Sequence, residues 1–171
     1  MGRQLILLDC WSRLVDSPVE LERAILMDFA LQHPRSVSSL VPGLDVVIRA
    51  HGLQDHDLSE LFAQRRLRGF RESFLVTSAE LLARNLLSED PTYKAESPGL
   101  KITPDGSQIV GRFTSPLSIF LRSAAELISK AWQRRSILAL ASDIREVLPD
   151  ESSAIAQLET PFGVWLEDLD G

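Results

Sequence analysis

The residues that could do chemistry gather in two places. His51, Asp55, His56 and Asp57 are the one cluster of metal-ligand types. Their spacing is irregular and Gly52 interrupts it, so a tetrahedral site would need a fourth ligand delivered by the fold. A solvated loop leading into a helix capped by Asp57 accounts for the same residues, and no metal is expected. The second group is cationic: Arg65, Arg66, Arg68 and Arg71, with Arg84 further on. On a helix Arg65, Arg68 and Arg71 fall three apart and share a face, with Arg66 beside them. Such a row suits DNA phosphates, the carboxylates of an acidic protein partner, or the acid-rich C-terminal segment of this same chain. Spacing does not choose among the three.

Nucleophilic and nucleotide chemistry lack their parts. Cys10 is the single cysteine, and no adjoining motif would activate it. There is no Gly-x-Ser-x-Gly elbow and no Gly-x-x-x-x-Gly-Lys-Ser/Thr phosphate loop. No catalytic residue, cofactor or small-molecule substrate is expected, and the chain reads as a non-enzyme.

Composition sets the frame. The chain has 171 residues, 44% of them hydrophobic and 25% charged, which is ordinary for a globular protein with a buried core. One cysteine excludes an internal disulfide framework and suits a reducing cytoplasm. No apolar run reaches the roughly 20 residues of a membrane span, and Asp9 interrupts the short apolar start, so neither a membrane association nor a signal peptide is expected. The net charge is −6. Residues 61–88 carry the five arginines named above against Glu72 and Glu80, whereas residues 143–171 carry eight acidic groups against Arg145 alone. A dedicated duplex binder needs a basic footprint, because counterion release supplies most of its non-specific affinity. The balance favours a protein partner.

The elements that position these residues read as mainly α: a winged-helix-like domain over residues 1–113, with a short β-hairpin wing, and an added long C-terminal helical segment with an acidic tail over 114–171. Residues 5–15 read as a helix. Ser17-Pro18-Val19-Glu20 combines an N-cap, an N1 proline and an N3 glutamate and opens a helix that runs to Gln32 and stops at Pro34. Asp45–Ala50 is a short helix closed by Gly52. Asp57-Leu58-Ser59-Glu60 opens a helix that carries the arginines and stops at Gly69, and Arg71 to Val76 form a connector or short strand. Thr77-Ser78-Ala79-Glu80 is a capping box for a nominal recognition helix ended by Pro91. On that helix only Arg84 and Asn85 could reach a base edge, which is thin for sequence readout. Thr92–Ala95 pairs with Leu100–Thr103 across Glu96-Ser97-Pro98-Gly99 as the wing, and Thr103-Pro104 caps the next helix.

Ser115-Pro116 starts the last large element. Leu117, Phe120, Ala124, Leu127, Ala131, Leu138, Ala141 and Leu148 follow in steps of three and four, broken by Arg134 and Arg145. One helix to Leu148 would be about 48 Å long, longer than a small core can cover. Either part of it meets another chain or it breaks near Gln133-Arg134-Arg135 and folds back. Trp132, Arg134 and Arg135 are therefore candidate protein contacts. So are Phe162, Trp165 and Leu166, which sit among Glu167, Asp168 and Asp170 like an acidic-aromatic docking peptide with a tryptophan anchor. Packing of Trp165 on its own domain is the alternative. Phe29 falls on the core side of its helix.

With these residues assembled, the chain resembles the middle components of bacterial ABC-three-component systems, the Lamassu-type antiphage defence modules. The resemblance is carried by Ile25-Leu26-Met27-Asp28-Phe29-Ala30-Leu31-Gln32-His33, an aliphatic run into Asp-aromatic-Ala-Leu-x-His. A charged and then leucine-rich helical stretch from Arg65 to Leu87 follows, and then a Gly-containing wing leading to a helix with a downstream tryptophan, Gly99 to Trp132. Pro34-Arg35-Ser36-Val37 stands where the family has a Gly-rich stretch. The resemblance implies a non-enzymatic accessory subunit that sits with an SMC/Rad50-like ATPase and an effector, often a nuclease, and couples DNA sensing to effector activation. DNA would be met indirectly or through phosphate contacts. Asp28 and His33 inherit no catalytic role, and at five residues apart they point about 140° from each other on a helix. A winged-helix transcription regulator is the alternative expectation.

Overall fold

The computed structural model describes residues 1–52, 63–94 and 97–148, with residues 63–69, Thr92, Lys94 and Ser97 given by backbone alone. Within them the chain forms seven α-helices and three short strands. Helix α1 (Gly2–Leu14) leads through Ser17 and Pro18 into β1 (Val19–Glu20). Helix α2 (Leu21–Gln32) follows, then a short 3₁₀ turn (Ser38–Leu40) and α3 (Leu44–Ala50). Helix α4 (Ala63–Ala83) runs into the hairpin β2 (Leu87–Lys94) and β3 (Ser97–Ile102). Helices α5 (Pro104–Gly111), α6 (Pro116–Trp132) and α7 (Ile137–Val147) complete the described fold. The sheet is antiparallel with order β1-β3-β2.

Local signals hold where no tertiary contact competes. Thr103 accepts from Gly106 N at 3.1 Å and Ser115 from Ser118 N at 3.2 Å, each before an N1 proline. Gly52 closes α3 with φ +63°, the left-handed C′ position that a residue without Cβ adopts freely.

Four expectations are corrected. Val19-Glu20 is not a helix start: Val19 pairs with Leu100 and Glu20 with Gly99, and α2 begins at Leu21. A buried, β-branched valine gains more beside β3 than in a first helical turn, and Glu20 turns its carboxylate to Arg23. Next, Gly69 does not end a helix and Thr77 does not begin one. Both lie inside the continuous α4, where Thr77 Oγ1 donates back to Ser73 O at 3.1 Å. A helical glycine costs about 1 kcal/mol relative to alanine, and burial of Phe70, Phe74 and Leu81 on one side of α4 exceeds that. Pro91 is likewise no helix stop but a residue of β2, an edge strand of the sheet, where a proline is tolerated. The pairing loses its regular register between Asp90 and Lys94. Last, the hairpin pairs otherwise than expected: Leu100–Ile102 lie against Leu87–Glu89 rather than Thr92–Ala95, and Ser97-Pro98-Gly99 belong to β3 rather than to the turn. Of the two readings open for the stretch from Ser115 to Leu148, the structure has the broken one, two helices. The chain breaks at 133–136, and Ser136 accepts from Ala139 N at 3.2 Å to start α7.

Helix α7 folds back on α2, and α6 packs along α1, α2 and α3. Leu5, Leu8, Trp11, Phe29, Phe120, Ile128, Trp132 and Ile144 belong to a single buried cluster. The boundary expected at 113/114 thus falls between elements that share one core. Phe29 is fully buried and meets the edge of Phe70 at 5.4 Å between ring centroids. Two glycines mark close approaches: a Cβ on Gly106 would stand 2.3 Å from Leu86 O, and one on Gly99 would stand 2.6 Å from Pro18 Cβ. No helix among the described residues is long and apolar enough to cross a membrane.

Candidate partner interface

Helix α4 is the element on which the sequence's cationic group resides, and its two sides differ. Phe70, Phe74, Ser78 and Leu81 are buried, and Gln4 of α1 reaches across to donate to Phe74 O at 3.3 Å while Ser78 Oγ donates to Gln4 Oε1. The opposite side presents Glu72, Val76, Ala79, Glu80 and Ala83 to solvent, with Val76 62% exposed. Arg65, Arg66 and Arg68 lie on the first two turns. Arg71, next along, is half exposed and bonds Glu22 Oε1 of α2 at 2.8 Å. That hydrogen bond, together with the glutamate's charge, raises the guanidinium's already high pKa. The pair is solvent-facing, so a competing phosphate or carboxylate can replace Glu22 at small loss.

Arg84 was expected on a second helix near the others. It stands instead at the far end of the same helix, about 28 Å along the axis from Arg65 at 1.5 Å per residue. The end itself is a Schellman motif: Asn85 N–H donates to Leu82 O and Leu86 N–H to Leu81 O, both at 2.9 Å, with Asn85 in the left-handed region at φ 56°. Thr103 Oγ1 then donates to Asn85 O at 2.8 Å. One threonine thereby fixes the angle between α4, the hairpin and α5. Asparagine is, after glycine, the residue most at ease in that conformation, and this was the available signal for the helix end.

Three other arginines, Arg23, Arg122 and Arg3, do structural work that sequence reasoning missed. Arg23, 7% exposed, bonds Glu20, Trp132 O at 2.5 Å and Arg135 O at 2.8 Å. Its guanidinium covers carbonyls at the C-terminal end of α6, where the helix dipole favours a cation. Arg122 does the same for Val110 O in the last turn of α5 and Phe113 O just past it. Arg3 forms a two-pronged pair with the buried Asp28, at 2.7 and 2.9 Å, tying α1 to α2. Nothing in the spacing of these residues announces such roles, since every partner but Glu20 is distant in sequence.

Of the proposed docking residues, Trp132 is fully buried in the core and offers no surface. Arg135 pairs with Asp143 and braces the α6–α7 turn. Arg134 is exposed. Phe162, Trp165 and Leu166 lie outside the described residues, as do Asp55, His56, Asp57 and the helix start expected there. Among the described residues no three His, Cys, Asp or Glu side chains gather as a metal site. Cys10 is buried, and burial, with Glu126 and Asp9 nearby, pushes its thiol up to about 12. A thiol so held is not a nucleophile at neutral pH.

Charge is segregated more sharply than the sequence halves suggested. Residues 1–148 hold all eighteen Lys and Arg and eighteen of the twenty-four Asp and Glu, so they are formally neutral. The whole net charge of −6 resides in residues 149–171, in Asp150, Glu151, Glu159, Glu167, Asp168 and Asp170. The body of the protein therefore presents no global field against a polyanion, and α4 is a local basic element on a neutral surface. No family model, curated protein or solved structure matches this chain.

Proposed function

We propose that the chain is a non-catalytic accessory subunit, a winged-helix-like module that assembles with an SMC-like ATPase and an effector in antiphage defence, with α4 as its contact element. The observation that supports this reading is the path of the chain around the sheet. A strand, helices and then an antiparallel hairpin, with β1 paired to β3, support the winged-helix-like part of this reading. On this reading α4, which carries Arg65, Arg66, Arg68 and Arg71, would stand in for the recognition helix. The test is co-expression with an SMC-like ATPase encoded beside it. Co-purification that is lost in Arg65→Glu/Arg68→Glu, while the variant stays folded, is the expected result. A well-behaved monomer that ignores the ATPase counts against the reading.

A winged-helix DNA-binding regulator is favoured by one observation, the neutrality of residues 1–148 around a basic α4. It predicts retardation of a short duplex that falls steeply with salt and weakens in Arg65→Ala and Arg68→Ala. Absence of retardation at low salt removes it.

A further inference from the structure

We infer that the α4 face is an acceptor for acidic, apolar segments, and that its occupant in the free protein is this chain's own residues 149–171. The inference rests on the proposal that α4 is the contact element, and four observations carry it. The charge of the two parts is complementary: α4 with Arg84 bears five arginines against Glu72 and Glu80, and residues 149–171 bear six acids and no base. The exposed side of α4 also has an apolar stretch, Val76, Ala79 and Ala83, beyond its arginine-bearing turns. Phe162, Val164, Trp165, Leu166 and Leu169 interleave with the acids in the same mixed fashion.

Reach is the third observation. The described chain ends on Leu148, anchored in the core, and 23 further residues can extend about 75–80 Å. A body of 148 residues has a radius of gyration of only about 15 Å, so every part of α4 is within range. The fourth is that a second copy fits poorly. Two antiparallel α4 helices crossing at Val76 would set Glu72 against Glu80 and Arg68 against Arg84, like against like. Tethering gives the tail a high effective concentration, so a partner must displace it, and the tail acts as an internal competitor for whatever anionic surface α4 serves.

The experiment keeps the full chain and changes only tail charge: Asp150→Asn, Glu151→Gln, Glu159→Gln, Glu167→Gln, Asp168→Asn and Asp170→Asn together. Amide hydrogen exchange of α4 is compared in the two proteins at low salt and at about 1 M salt, where screening acts over roughly 3 Å. Exchange across residues 63–84 should rise in the neutralised protein, by the same amount that salt produces in the native one. A synthetic peptide of residues 149–171 should restore protection to the neutralised protein but not to one that also carries Arg65→Glu/Arg68→Glu. Unchanged α4 exchange with no peptide binding overturns the inference. So does peptide protection confined to another element, or α4 protection produced only by added duplex or ATPase. That last result leaves the proposed function standing, whereas peptide protection of α4 without ATPase co-purification retains the tail contact and sinks the subunit reading.

Discussion

Helices α2 and α4 both carry arginines beside the sheet, and they use them for opposite ends. On α2, Arg23 is sealed beneath the α6–α7 junction and bonds two main-chain carbonyls and a carboxylate. Asp28 on the same helix is sealed against Arg3. On α4, Arg71 meets a single exposed glutamate, and Arg84 stands in solvent at the helix end. The residue type is the same, and the surroundings decide its part. Desolvated and multiply bonded, an arginine is a fixed structural member whose removal strands its partners. Half-solvated with one partner, it is available to a ligand.

The comparison can be broken most forcefully at the core of α2. Phe29→Ala should lower stability by about 3–5 kcal/mol, measured by urea unfolding; a change within about 0.5 kcal/mol would mean this face is not core. Arg23→Met follows, with a loss of about 3 kcal/mol, because Glu20 and the carbonyls of Trp132 and Arg135 lose a buried cation. If α7 exchanged no faster in that variant, the clamp would be ornamental. At the far end of α4, Asn85→Ala should cost about 1 kcal/mol for placing a Cβ-bearing residue without a polar side chain at positive φ, whereas Asn85→Gly should leave the midpoint unmoved. Equal effects of the two would refute the left-handed cap.

Cys10 sharpens the picture through pH. Its folded thiol sits near 12, above the ordinary value of 9.0, so the unfolded chain releases that proton first. The stability this thiol contributes is intact below pH 9 and drains away as pH rises from about 9 to 12. Cys10→Ala should show a shallower loss over that window in parallel thermal melts. Smallest of all, Arg71→Ala should leave the unfolding midpoint where it is, since the pair it breaks is solvent-exposed. A marked drop would move Arg71 from the available set to the structural one.

How much of this was legible depends on the range over which each residue acts. The caps at Thr103 and Ser115 and the close of α3 at Gly52 are written in contacts within a few residues. A hairpin was legible before Thr103, but its register was not, since Leu100–Ile102 pair with Leu87–Glu89, and the break near Gln133 was one of two readings that spacing left open. The arginine row was visible as a row. Its setting was not, because Gly69 and Thr77 carry strong local signals for a boundary that packing of Phe70 and Phe74 overrules. Val19-Glu20 misled for the same reason: a cap motif of four residues says nothing about a strand 80 residues away.

The sequence by itself determined the charge segregation, a mainly helical chain, and the residues able to start and stop most helices. Tertiary structure alone decided that α4 is continuous, that β1 exists, that Trp132 is core rather than contact, and that Arg23 is sealed in the fold while Arg71 and Arg84 face solvent. Local preferences amount to about 1 kcal/mol per residue at most for anything but proline. Burial of an aromatic side chain or pairing of a desolvated guanidinium is worth several times that, so where the two disagree the fold follows the packing.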